Sequence, residues 1–464
     1  MKNRIRHVAL IALGLALVTT GVQAEEWTRF RGPNGSGIGN GGGYPSEFGP
    51  DKNVVWKAAV RPGKSSPVLN GRHIFVTAFD EGKLYTQCFD RRSGELVWER
   101  ALERDREADL NQLNEPASIS PVTDGENVYV FFRDIGMLAY DSTGKLLWKT
   151  PLGPFANYMG QSASPILADD RLIILADQDE GSYIAALSPS NGEIEWKTAR
   201  DEGQAWATPL IYDGAAGARQ ILTISRGVIG SHHLGNGKRL WEQQAIPPAI
   251  VASPVVAGNT VYAFGYGNDA GRDFGTGFDA KDKNGDGVLT RDEYADQAFM
   301  AGIAKYRGNR DGVLEKQEYI DAARETVAPS SLVAFRFDDA VEPRELWRYE
   351  KSFNGVIPSA LIYDKVVYLI KNGGILETLD AETGALLKQG RIREAIDGYS
   401  SSPVAADGKV YLASEGGKVA VLKAAGEWEI VAVNDLGGEI FATPALSNGQ
   451  IFVRTSERLY CFGK

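Results

Sequence analysis

Apolar and polar positions alternate in short bursts along most of the chain, with runs rich in Val, Ile, Tyr, Phe and Leu broken by turns of Gly, Asn, Asp and Lys. Brief runs separated by turn chemistry predict strands rather than helices. One phrase returns throughout: a small residue or two, a proline, apolar residues, a polar turn, then a Val/Ile/Tyr strand. Its prolines are Pro67, Pro121, Pro165, Pro209, Pro254, Pro358, Pro403 and Pro444. Successive intervals fall between 41 and 54 residues, apart from one of 104. A period near 45 therefore carries a single insertion of about 60 residues, and the number of copies is eight.

Each period continues with a second strand, as at Ile74-Phe75-Val76, Val128-Tyr129-Val130, Val261-Tyr262-Ala263 and Val410-Tyr411-Leu412. A third strand ends near Asp90, Asp141 or Asp380, and after a Gly turn the fourth contains tryptophan: Trp98, Trp148, Trp196, Trp241 and Trp347. In the sixth and seventh copies Lys388 and, approximately, Ile430 stand in its place. Four short strands per period predict an all-β, eight-bladed propeller, with the tryptophans filling the wedge between blades. An extra fourth strand, Val54-Val55-Trp56, precedes the first proline, while the chain ends on a third strand at Leu459-Tyr460-Cys461-Phe462. The front of the chain should thus complete the last blade and leave no open ring edge.

The repeated tryptophan motif, the small-Pro strands and the opening Trp27-Thr28-Arg29-Phe30-Arg31-Gly32-Pro33 resemble the quinoprotein-like (PQQ-like) repeat propellers. The resemblance covers the chain after its leader except for the insertion. It implies architecture more than activity, because similar propellers include quinone-dependent dehydrogenases and the non-enzymatic propeller of the outer-membrane β-barrel assembly machine.

The insertion, residues 266–329, separates propeller segments 51–265 and 330–464 within blade five. It contains Asp282-Lys283-Asn284-Gly285-Asp286-Gly287-Val288-Leu289-Thr290-Arg291-Asp292-Glu293, a full match to the twelve-residue EF-hand loop. Calcium takes six to eight hard oxygens. Here they would come from Asp282, Asn284, Asp286, the Val288 carbonyl, Thr290 directly or through water, and Glu293 with both carboxylate oxygens. A second loop runs from Arg307 to Glu318, but a cation stands at its first ligand position, so it is read mainly as a packing partner. Phe299, Ile303, Tyr306, Tyr319 and Ile320 are the candidate core of this small helical subdomain.

Composition narrows the setting. Lys2, Arg4 and Arg6, the apolar run Val8 to Val18 and Val22-Gln23-Ala24 form a secretory leader over residues 1–24, shorter in its apolar core than a spanning helix. Its removal takes the net charge from −10 to −13, which disfavours nucleic acid and anionic membrane surfaces as partners. No cysteine lies near the cleavage site to carry a lipid anchor. Cys88 and Cys461 occupy the same third-strand position in blades one and eight, where other blades have Ala, and read as buried filler, with a disulfide across the closure as the alternative.

Residues 25–50 are Gly-rich. The run from Gly32 to Gly39 lacks the Gly-Lys-Ser/Thr ending of a phosphate loop and reads as an irregular lead-in crossing the propeller. The loops entering each inner strand share a face with the insertion, and there Asn114, Glu115, Tyr158, Trp206 and Tyr399 are the candidate binding residues, each with rim packing or loop hydrogen bonding as its plain alternative. The histidines His73, His232 and His233 do not suggest a multi-histidine metal site, and no Gly-x-Ser-x-Gly elbow occurs.

A specific metal motif beside weak catalytic ones predicts a non-catalytic, calcium-dependent binding or scaffolding propeller. It would be monomeric, periplasmic or secreted, and would present loops to a protein or glycan. The resemblance implies two alternatives. One is a PQQ-dependent dehydrogenase, although the adjacent cysteines such enzymes carry are missing here and only Trp206 offers a quinone floor. The other is a scaffold for outer-membrane protein assembly.

Overall fold

A computed structural model describes residues 26–464 apart from 108–109, 112–113, 158, 215–218, 248–250, 268–272, 298–299, 302, 305–308, 310, 327–328, 339 and 352–356. The predicted leader, Tyr158, Phe299, Tyr306 and Arg307 lie outside the described residues.

Strand character follows burial. A second strand such as Val128–Phe132 and a third such as Gly136–Tyr140 are buried along their whole length, which explains their unbroken apolar runs. The fourth, Leu146–Pro151, borders solvent and alternates. Blade one is built from Val68–Leu69, His73–Asp80, Lys83–Asp90 and Leu96–Leu102 in sequence order, and the same meander recurs to give eight four-stranded antiparallel sheets. The last sheet takes its outer strand, Val54–Ala59, from the front of the chain, paired antiparallel with Arg458–Phe462 so that Trp56 faces Cys461. The fold is an eight-bladed β-propeller with the predicted closure.

A bulge falls at one fixed point between third and fourth strands, for example between Cys88 and Phe89, Ala139 and Tyr140, and Ala186 and Leu187. Just before it stands the tryptophan, whose indole reaches the next blade. Trp56 Nε1 donates to Arg91 O at 3.0 Å, Trp98 Nε1 to Ser142 O at 3.0 Å, Trp148 Nε1 to Pro189 O at 2.7 Å, and Trp347 Nε1 to Ala381 O at 3.1 Å. The acceptors sit in the turn between third and fourth strands. A glycine of that same turn lies beneath the ring with φ near +75°: Gly94 under Trp56, Gly144 under Trp98, Gly192 under Trp148 and Gly384 under Trp347. A Cβ there would overlap the indole, so turn and tryptophan specify each other.

Two seams differ. In blade seven the residue equivalent to the tryptophan is Ala432, paired with Val421, whereas Ile430 lies beyond the bulge opposite Leu422, which corrects the sequence assignment by two residues. Lys388 of blade six does occupy the tryptophan position, opposite Thr378. Its ammonium donates to Trp428 O at 2.5 Å and lies 4.5 Å from that ring, so the aromatic is supplied from the opposite side of the seam.

Around the axis runs a closed belt of hydroxyls. Ser66 N donates to Ser120 Oγ at 2.9 Å, Ser120 N to Ser164 Oγ at 3.2 Å, Ser164 N to Thr208 Oγ1 at 3.0 Å and Thr208 N to Ser253 Oγ at 2.9 Å. Ser253 N donates to Ser359 Oγ at 2.9 Å, Ser359 N to Ser402 Oγ at 3.0 Å, Ser402 N to Thr443 Oγ1 at 3.1 Å, and Thr443 N returns to Ser66 Oγ at 2.9 Å. Every blade thus satisfies one buried N–H of its neighbour. In blade six the hydroxyl is Ser359 and Ala360 stands where the other blades have proline, so Pro358 is not the equivalent of the other seven.

The lead-in crosses the opposite side of this belt. Leu69 N donates to Trp27 O, Thr123 N to Thr28 O, and Ala405 N and O pair with Gly37 O and Gly39 N. Asn34 brackets Ile211 through both of its amide atoms. Inner strands of blades one, two, four and seven are thereby tied to one short irregular segment.

Candidate functional site

The insertion leaves blade five between strand Thr260–Gly265 and strand Ser331–Arg336. At its base the Ser330 hydroxyl both accepts from Gly267 N and donates to Gly267 O. Its helices include Phe274–Asp279, Arg291–Tyr294 and Lys316–Thr326. They enclose a separate core containing Phe274, Phe278, Leu289, Tyr294, Met300, Ile303, Leu314 and Tyr319, with Ile320 partly buried against it. Of that set the sequence identifies Ile303, Tyr319 and Ile320, because Phe274 and Phe278 fall before the loop motif and Leu289 and Leu314 within the loops.

Val288–Leu289 and Leu314–Glu315 form a two-stranded antiparallel pair, and Gly285 and Gly287 take φ of 71° and 79° to turn the chain between the polar side chains. Asp282 Oδ1 accepts from Gly285 N at 2.8 Å and its Oδ2 from Gly287 N at 2.9 Å, while Asn284 Oδ1 accepts from Asp286 N at 3.0 Å. Asp286 Oδ1 accepts from Val288 N at 2.8 Å, and Glu293 Oε2 accepts from Thr290 N at 2.9 Å. The carboxylates are therefore bonded to the loop's own backbone, and among the described residues no three His, Cys, Asp or Glu side chains gather as a metal cluster. As a donor set the loop fits a hard divalent cation: every potential ligand is oxygen, and the glycines permit the curvature. In the second loop Asn309 N donates to Glu318 Oε1 and Tyr294 OH donates to Gly312 O, a contact from the first loop's helix.

The loop-face candidates mostly serve the loops themselves. Trp206 Nε1 donates to Gly160 O at 2.8 Å, Asn114 Nδ2 to Met159 O at 2.7 Å, and Glu115 Oε1 accepts from Lys64 N at 2.5 Å. Burial raises the Glu115 pKa above the usual carboxylate value. Tyr399 is fully buried, with its hydroxyl donated to Ala395 O. On the same face Ile396 and Ile357 are 54% and 36% exposed, in the connections entering blades seven and six.

A polar network missed in the sequence lies between blades three and four. Arg200 is buried, with Nε donating to Asp177 Oδ1 at 2.8 Å and Nη2 to Asp177 Oδ2 at 3.3 Å. Its other N–H groups reach Thr223, Ser225 and His232 Nε2, and Glu202 lies 3.4 Å away. Because Arg200 only donates, His232 Nε2 must accept, and Nδ1–H donates to Gly237 O at 3.0 Å. That tautomer is neutral. Burial, then the Arg200 charge, lowers the His232 pKa from 6.5 to about 4. The folded pKa lies below the unfolded one, so the stabilisation is complete above pH 6.5 and is lost as pH falls towards 4. We expect acidification across that window to remove about 3 kcal/mol through this residue. A His232→Gln chain, compared by urea unfolding at each pH, should show a flatter profile.

Cys88 and Cys461 are free, buried thiols in the third strands of adjoining blades, and burial pushes the Cys461 pKa up to about 12. They function as core residues, facing Trp98 and Trp56. Trp206 spends its N–H on Gly160 O, and among the described residues no adjacent thiol pair accompanies it, so this set does not match a quinone pocket.

These features define the chain as a repeat propeller of eight blades with a loop-borne insertion. It belongs to the family described as outer membrane protein assembly factor BamB, whose model matches residues 49–156, 85–281 and 323–463. It is 23% identical over 407 residues to the BamB of Shewanella oneidensis, covering 80% of this chain and 88% of that protein. Against the Yersinia pestis BamB it is 21% identical over 347 residues, covering 73% and 72%. Among solved structures, BamB from Moraxella catarrhalis superposes with a TM-score of 0.57 at 14% identity over 89% of this chain and 97% of the other. A europium-containing methanol dehydrogenase gives 0.58 at 10% identity over 95% and 99%, which shows a shared fold. Among the described residues no helix is long and apolar enough to cross a membrane.

Proposed function

We propose that this chain is an exported, non-catalytic propeller that holds a protein partner in outer-membrane protein assembly on the periplasmic side, with calcium bound in its inserted loop. The observation that carries the first half is the family match across nearly all the blades. Its physical counterpart is a ring locked by seam tryptophans and a hydroxyl belt, which presents its loops at little ordering cost. Ile396 and Ile357 offer exposed apolar anchors on the loop face.

A photo-crosslinking residue at Ile396 is expected to capture an outer-membrane assembly protein in cells. Ile396→Asp should weaken that association about tenfold, roughly 1.4 kcal/mol, with an unchanged melting temperature. Equal capture by wild type and Ile396→Asp would reject the loop face as the contact.

The calcium half rests on the loop sequence and its paired strands. Asp282, Asn284, Asp286, the Val288 carbonyl, Thr290 and Glu293 would hold the ion, whose divalent charge would offset the loop's carboxylates. Titration calorimetry should find one site, and calcium at a hundred times its dissociation constant should stabilise the insertion by about 2.7 kcal/mol. Glu293→Gln should lower affinity at least tenfold. Absence of binding heat up to millimolar calcium would discard this half alone.

A further inference from the structure

We propose that the propeller axis, between the lead-in and the hydroxyl belt, is a binding site for one small oxyanion, gripped by Arg29 and Arg31. Asn34 marks the level of the lead-in by bonding Ile211, and Arg29 Nη2 reaches past it to donate to Pro209 O at 2.8 Å. Two residues separate those contacts, so the guanidinium stands about 6–7 Å nearer the belt, directly beside Thr208. Arg31 Nη2 donates to Ala360 O at 2.8 Å, next to belt residue Ser359. Both guanidiniums of the lead-in thus end just beneath the belt, against carbonyls of blades four and six.

Their surroundings are short of negative charge. Arg29 is 6% exposed and Arg31 wholly buried, and among the described residues no carboxylate pairs with either. Burial lowers both pKa values to about 9, and the Arg29 charge adds to the effect on Arg31. A guanidinium keeps its proton under ordinary conditions, so two buried like charges need an external partner. Arg29 Nε and Arg31 Nε and Nη1 are buried N–H groups without an acceptor. Three free, charge-assisted donors on two planar forks suit the several lone pairs of a phosphate, sulfate or carboxylate. The lead-in makes room for them: a Cβ at Gly37 would lie 3.1 Å from Arg31 Nη2 and 3.1 Å from Pro403 O.

The test uses the full exported chain, dialysed into dilute buffer and titrated with inorganic phosphate, sulfate and acetate at an ionic strength fixed with sodium chloride. One saturable site per chain is expected for at least one of the three, and their ranking distinguishes tetrahedral anions from carboxylates. Arg31→Met should weaken binding at least tenfold and Arg31→Lys, which keeps charge but loses the fork, by less. If Arg31→Met does not fold, crystals of the wild-type protein soaked in selenate decide, with an anomalous peak expected within hydrogen-bond distance of Arg29 Nε and Arg31 Nη1. No saturable binding beyond chloride, undiminished binding by Arg31→Met, or selenate found only elsewhere overturns the proposal.

Discussion

Deletion of residues 26–59 is expected to abolish cooperative folding, leaving a chain that exposes apolar surface and associates through the strand Arg458–Phe462. Trp56 alone contributes on the order of 200 Å² of buried aromatic surface, worth about 5 kcal/mol, against a typical total stability of about 5–15 kcal/mol. The loss also strips the pairing of Phe462, Cys461, Tyr460 and Leu459 and opens a sheet edge. A second chain separates this from loss of the lead-in. Because Val54 lies opposite Phe462 in an antiparallel pair, a short hairpin after Lys464 can lead straight into a transplanted copy of residues 51–60. That relocated version should recover a single sharp unfolding transition by calorimetry. If both chains melt broadly, the closing strand is not what holds the ring.

The second large effect is expected at Asp177→Asn. Removing one partner of a buried ion pair strands the other, at about 3–5 kcal/mol. The lower end applies here, because Glu202 remains 3.4 Å from Arg200 and shares the compensation. Chemical denaturation should show the loss. A double change, Asp177→Asn with Arg200→Leu, should cost less than the sum of the two singles, since the second removes the charge that the first leaves uncompensated. Full additivity would show that the pair is not coupled.

The ring was legible in the sequence because its information is local and repeated. Each blade is a meander of neighbouring strands, so proline spacing and tryptophan position report the architecture without any long-range guess. Even closure could be read, since Val54-Val55-Trp56 is a fourth strand lacking its three predecessors. What escaped was whatever depends on chemistry across a seam. Ser66, Ser120, Ser164, Thr208, Ser253, Ser402 and Thr443 read as small residues before proline, and because size alone explains them their hydroxyls carry no separate signal. Ser359 was further hidden by Pro358, which draws the alignment towards itself. Asp177, Arg200 and His232 come from two blades, and no spacing along the chain signals that they meet. Arg29 and Arg31 enter the sequence reading only as part of the opening motif, because nothing local shows that both end buried without a carboxylate. The EF-hand motif, by contrast, is contiguous, so its residues could be named at once, while the insertion's core, drawn from before, within and after the loops, was only partly visible.

The hydroxyl belt has a sense of rotation, each N–H handed forward to the following blade until the eighth returns to the first. A linear stack of repeats frays from its outermost member, which has a neighbour on one side only. Here no blade is outermost, so a disturbance at any clasp meets intact clasps both clockwise and anticlockwise. Local opening must therefore break two seams together before a blade can leave, which keeps the mouths of the loops in fixed register.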